Sequence, residues 1–164
     1  MKFRTTSFQD IDLIPHIVAE FSNPQLDAIH VGTDSISIGG TLTYFTVVAF
    51  RYRNIFGTGK GAHYIFKKTQ FPTYRKEGGK PDLYLKLWKE VELTIECAQF
   101  IKDNLPIAAD KLVLEFDFNN IIETVSTKLI PAAQGWALTM DLKSLFKSNE
   151  QLAVKAANHK CQSQ

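Results

Sequence analysis

Two acidic residues stand where a folded chain seldom places them. Asp34 lies in VGTDS, within a run of β-branched residues, and Asp117 lies in LEFDF, between aromatic residues. An ionised carboxylate inside a buried strand is costly unless something compensates it. If the two strands are neighbours, the acids approach and repel. A divalent cation removes that repulsion, and hard cations such as Mg²⁺ or Mn²⁺ prefer oxygen ligands. The third acid comes from residues 82–104. There Tyr84, Trp88, Val91, Ile95 and Ala98 recur at helical spacing. Glu92 follows Val91 by one step and sits at the edge of that apolar stripe, half buried and able to reach a site at the edge of the sheet. Glu90 and Glu96 are read as solvated. Asp34, Glu92 and Asp117 are therefore the candidate acids for holding such a cation.

The elements that must position these acids follow from the local pattern. Residues 12–22 predict a short helix, with Asp12 as N-cap and Pro15 in the first turn. Residues 28–38, 41–53 and 62–71 are rich in β-branched and aromatic residues and are separated by Gly-containing turns. They predict an antiparallel meander. A polar loop, PTYRKEGGKP at 72–81, precedes the helix of 82–104, which Asp82 can cap. Residues 111–118 predict a strand buried on both faces. Asn119 or Asn120 caps a helix over 121–130 that ends near Pro131. Residues 136–142 predict a fifth strand, and 149–161 a final helix. A meander followed by crossovers implies a mixed sheet with helices packed on it.

At 164 residues, 45% hydrophobic and 22% charged, the chain fits one globular domain and excludes general disorder or a coiled coil. No apolar run approaches the roughly 20 residues that span a bilayer. Two cysteines, Cys97 and Cys161, cannot form a disulfide framework. With no signal-like start, they point to the cytoplasm. The net charge is only +2, but residues 51–80 set Arg51, Arg53, Lys60, Lys67, Lys68, Arg75, Lys76 and Lys80 against Glu77 alone. Such a segment favours a polyanion through phosphate contacts and counterion release. Arg51, Arg53, Lys67, Lys68, Arg75 and Lys76 are the candidate nucleic-acid-binding residues, with Tyr74 able to stack beside the last two. His30, on the same strand face as Asp34, reads as a hydrogen-bonded core histidine. His63 reads as structural or at the surface, and His16, far in sequence from the acids, is assigned no role. Gly57–Gly61 lacks Walker spacing and reads as a turn.

VGTDS at 31–35, the meander after it, the helix ELTIECA at 92–98 and LEFD at 114–117 resemble the ribonuclease H-like superfamily, and within it the small bacterial YkuK-type family. The resemblance covers residues 28–161 as a core, with 1–27 as an N-terminal helical extension of a single domain spanning 1–164. It implies a five-stranded mixed sheet of order 3-2-1-4-5, in which the strands of Asp34 and Asp117 are neighbours. It also implies phosphodiester cleavage in RNA, DNA or a hybrid, with Mg²⁺ or Mn²⁺ held by Asp34, Glu92 and Asp117. Members of the superfamily usually carry a fourth acid on the last helix. Here that helix reads QLAVKAANHKC and offers Asn158 and His159 as substitute ligands. Asp141 is another source of the missing charge. The departure sets a second expectation beside the first: a catalytically weak or inactive module that binds nucleic acid or a protein partner. A nucleotide-binding role, as in the sugar kinase and actin relatives, finds only a faint phosphate turn in ISIGGTL.

Overall fold

The longest strands begin where the sequence is richest in β-branched and aromatic residues. A computed structural model describes residues 1–77, 79–118, 123–146 and 151–163, and the side chains among them other than those of 123–128. Strand β3 (Leu26–Ile38) turns through Gly39-Gly40 into β4 (Thr41–Arg53). Both glycines have positive φ, as a two-residue hairpin that keeps the strand twist requires. A loop braced by the Asn54 side chain, which accepts from Phe56 N and Thr58 N, leads into β5 (Gly59–Pro72). Beyond the polar loop, α2 (Leu83–Asn104) starts at Asp82, whose carboxylate accepts from Leu85 N. Strand β6 (Leu112–Phe116) is buried along its whole length.

β6 pairs with β3 in parallel, Gly32 opposite Glu115, and β7 (Lys143–Phe146) pairs with β6 in parallel. The expected neighbours are thus all present in the run β5-β4-β3-β6-β7. Among the described residues the sheet has seven strands rather than five, because β1 (Lys2–Arg4) and β2 (Asp10–Asp12) extend it past β5. The N-terminal segment is therefore part sheet as well as helix α1 (Leu13–Phe21). Asp12 makes no side-chain cap bond on α1; its carboxylate is taken by Lys2 Nζ at 2.7 Å.

The fifth strand is not at 136–142. Helix α3 runs from Glu123 through Pro131 to Thr139, and β7 follows it. Leu129, Ala133 and Ala137 are all buried and lie four residues apart. One apolar stripe thus continues past the proline and outweighs the backbone bond that it removes. Asn119 and Asn120, the expected caps, lie outside the described residues. The last helix, α4, spans Ala153–Gln162.

Alternation along β3 sends its side chains to two faces. Ile29, Val31, Thr33 and Ser35 face α2, where Val91 and Ile95 share their core and Thr94 Oγ1 donates to Thr33 Oγ1 at 3.0 Å. His30 and Gly32 face α4. The first turn of α4 has no cap from its own sequence. Glu115, fully buried on β6, supplies one by accepting from Leu152 N at 2.8 Å and Val154 N at 2.9 Å. A carboxylate is favoured there by the unpaired N–H groups and the helix dipole. His30 Nδ1 bonds the same carboxylate at 2.6 Å, so His30 is a hydrogen-bonded core residue. Gly32 lets α4 lie directly on the sheet: a Cβ there would stand 2.8 Å from Val154 Cγ2 and 3.1 Å from Val154 N. Gly32→Ala is expected to cost about 1–3 kcal/mol of unfolding free energy through overpacking, read as a lowered midpoint in urea. A midpoint equal to the parent's would show that α4 does not rest on Gly32.

Candidate functional site

The parallel register carries Asp34 and Asp117 together. Gly32 is opposite Glu115, and two further steps along each chain bring the two aspartates alongside one another, just past the end of β6. Neighbouring strands stand about 4.8 Å apart. Burial raises the Asp34 pKa, the Asp117 charge raises it further, and the Ser35 N–H and Lys86 oppose the shift. Asp34 Oδ1 accepts from Ser35 N at 2.8 Å. The place is the carboxyl end of the parallel strands β3 and β6, where open α/β sheets form their ligand crevices.

The third acid of this crevice is Glu90, not Glu92. Glu90 is 8% exposed, and its Oε1 accepts from Ser35 Oγ at 2.6 Å. Burial, then the Asp34 charge, push its pKa up to about 8; Asp117 adds to the shift, and the Ser35 bond and Lys86 oppose it. Glu92 lies two residues on, about 200° around the helix. It accepts from Trp88 Nε1 at 2.9 Å and pairs with Lys89 Nζ at 2.8 Å. The buried stripe of α2 is wider than the spacing of Trp88, Val91 and Ile95 implies, since it includes Glu90, Leu93, Thr94 and Cys97. Glu90 therefore falls inside the stripe, whereas Glu96 is exposed as expected.

Asp34, Glu90 and Asp117 supply oxygen donors only, and the charge of Asp117 opposes ionisation of the other two. That donor set fits a hard divalent cation. Among the described residues their ligating atoms do not all fall within 4.8 Å of one another. Asn158 and His159 on α4 are both exposed, and the helix turns Ala153, Val154, Ala157 and Cys161 to the core instead. His159 is about 200° around from Ala157, and Asn158 Oδ1 accepts from Gln162 Nε2 at 3.1 Å. Asp141, with φ of 54°, lies just before β7, where Lys143 pairs with Val113. That is the amino end of the parallel strands, opposite the acids.

The basic residues divide by register. Lys68 shares a cross-strand row with Asp34, through Phe45, and its Nζ stands 5.9 Å from the Phe45 ring centroid. Lys67 points to the other face. Arg51 and Arg53 both pair with Asp27, at 2.7 and 3.1 Å. Arg51 is in register with Ala28, six residues before Asp34 and about 20 Å from it at strand rise. Those two arginines do not join a basic surface beside the acids. Arg75 and Lys76 are exposed on the loop that enters α2, where Arg75 Nη1 donates to Gly79 O at 2.7 Å. Lys86 and Ser35, neither of which the sequence reading joined to these acids, both act on the carboxylates. Their signals were Lys86 one turn before Glu90 and a hydroxyl next to Asp34.

A family model described as Ribonuclease H-like matches residues 11–162. Neither the curated proteins nor the solved structures gave a match. No described helix is long and apolar enough to cross a membrane.

A raised carboxyl pKa has a defined effect on stability. Glu90 binds its proton more tightly folded than unfolded, so its contribution is complete below about pH 4.5 and is lost as pH rises through about 8. Metal-free protein is expected to lose stability across that window, and Glu90→Gln to flatten the slope, both read by urea unfolding at a series of pH values. An unchanged slope in Glu90→Gln would assign the loss to another group.

Proposed function

This chain belongs to the ribonuclease H-like family, and from that premise we propose that it is a divalent-metal-dependent nuclease acting at Asp34, Glu90 and Asp117. The observation that carries the reading is Glu90. A glutamate buried against two aspartates and driven up to about 8 is poorly placed as a structural residue, and its environment becomes favourable once cations enter. The ligands are all carboxylates, which suits Mg²⁺ or Mn²⁺. When bound, such ions polarise a phosphoryl oxygen and lower the pKa of a coordinated water. Ser35 Oγ holds the Glu90 carboxylate in place, and the Ser35 N–H fixes that of Asp34. Lys68, in the Asp34 row, and Arg75 and Lys76, on the loop into α2, are positioned to grip the phosphates of a nucleic-acid strand.

A second reading has its own support. Helix α4, AVKAANHKCQ, contains no acid, so the position that active relatives fill with a carboxylate is neutral here. With fewer negative ligands the ions would be held less tightly, and the crevice would serve binding without cleavage.

Labelled single strands, duplexes and hybrids incubated with Mn²⁺ or Mg²⁺ separate the two. Cleavage is expected, with Asp34→Asn and Glu90→Gln each lowering the rate more than about 100-fold, beyond what loss of an outer-shell partner costs. Glu92→Gln is expected to keep the parent rate. Lys68→Glu is expected to weaken binding and flatten its salt dependence. Binding without cleavage at every metal concentration would sink the hydrolytic reading and leave the binding module.

A further inference from the structure

On the α2 side of the sheet, at the end away from the acids, three other side chains meet. His16 and Glu20 lie one turn apart on α1 and share a helix face. His63 comes from β5, opposite Phe50 of β4. His16 Nε2 is 3.4 Å from His63 Nε2 and 3.7 Å from Glu20 Oε1, and His63 Nε2 is 3.3 Å from the same oxygen. Among the described residues, this is the one group of His, Cys, Asp and Glu whose ligating atoms all lie within 4.8 Å of one another. Zinc takes nitrogen at about 2.0–2.1 Å and carboxylate oxygen at about 2.0–2.2 Å. A tetrahedron with those radii has edges of about 3.3–3.6 Å. Two of the three separations fall in that range and the third, His16 to Glu20, exceeds it by about 0.1 Å, so together they approximate one face of such a tetrahedron.

We propose that His16, Glu20 and His63 form a binding site for Zn²⁺ or a similar borderline divalent metal, separate from the carboxylate crevice. The partners behind the ligands favour it. Tyr52 O–H donates to Glu20 Oε2 at 2.6 Å, and its oxygen faces His63 Nδ1 at 2.8 Å. The single phenolic proton is committed to the carboxylate, so His63 Nδ1–H is the donor to Tyr52. That tautomer leaves His63 Nε2 with a lone pair aimed at the other two ligands. Ring packing holds the geometry: Phe50 and Tyr52 stack on His63 at 4.8 and 5.7 Å, and Phe50 meets His16 edge-on at 5.4 Å. Two imidazoles and one carboxylate select a borderline metal, whereas the all-oxygen crevice selects a harder one. All three ligands are only partly buried, so water would be free to complete the coordination of a bound metal. Bound metal would tie α1 to β5.

The test is calorimetric titration of the full chain with Zn²⁺ in excess Mg²⁺, paired with melting curves and Co²⁺ absorption. One Zn²⁺ per chain is expected, with a raised Tm and the intense visible bands of tetrahedral Co²⁺. Glu20→Gln keeps an acceptor for Tyr52 and is expected to weaken binding at least 10-fold; His63→Ala should abolish it. Tyr52→Phe, which removes only the outer partner, is expected to weaken it about 10-fold. Asp34→Asn should bind as the parent does, which keeps this result independent of the nuclease reading. Far-ultraviolet circular dichroism of each metal-free variant confirms folding. Zinc affinity and Tm shift unchanged in both Glu20→Gln and His63→Ala, or lost in Asp34→Asn instead, would overturn the proposal.

Discussion

Parallel pairing of β3 with β6 is the constraint on which the rest of this molecule depends. It aligns Gly32 with Glu115 and so carries Asp34 and Asp117 to the same level. β6 ends at Phe116 while β3 continues to Ile38. Near that end α2 delivers Glu90 to Ser35, the neighbour of Asp34. The acids are thus crowded by backbone geometry rather than by attraction between side chains. The crowding persists because the sheet is held from both faces.

One holding device is Glu115. It is a fully buried carboxylate whose charge is met by the Leu152 and Val154 N–H groups and by His30. The contrast with Glu90 is instructive. Both are buried glutamates, Glu115 opposite Gly32 of β3 and Glu90 against Ser35 of the same strand. Glu115 faces the positive end of a helix and several donors, and its place is structural. Glu90 has Ser35 as its donor but faces two carboxylates, and its pKa is driven to about 8. Burial alone does not mark a functional acid; the charge of its surroundings does.

The two candidate metal centres divide the molecule by ligand chemistry. The crevice at the carboxyl end of the parallel strands offers oxygen, and the group joining α1 to β5 offers nitrogen and oxygen. They are set apart along β3, since His63 is in register with Phe50, which is opposite Ile29, five residues before Asp34. A segment expected to be only a helical extension therefore brings two strands to the sheet and two side chains, His16 and Glu20, to the proposed zinc site.

Much of this was legible from residue order alone. The meander, the central strands and the neighbourhood of Asp34 and Asp117 follow from β-branched runs, glycine turns and one resemblance, because strand pairing is dictated by backbone periodicity that the sequence displays directly. What the sequence left undecided was the phase of the elements. Glu90 and Glu92 lie on opposite sides of one helix, and which faces inward depends on how wide a stripe the sheet covers, a property of packing. Pro131 looked like an end and was not, because contacts of Leu129, Ala133 and Ala137 outweigh one missing backbone bond. His16, Glu20 and His63 are separated by up to 47 residues. No local pattern could join them, because only the docking of α1 on the sheet brings them within a metal's radius.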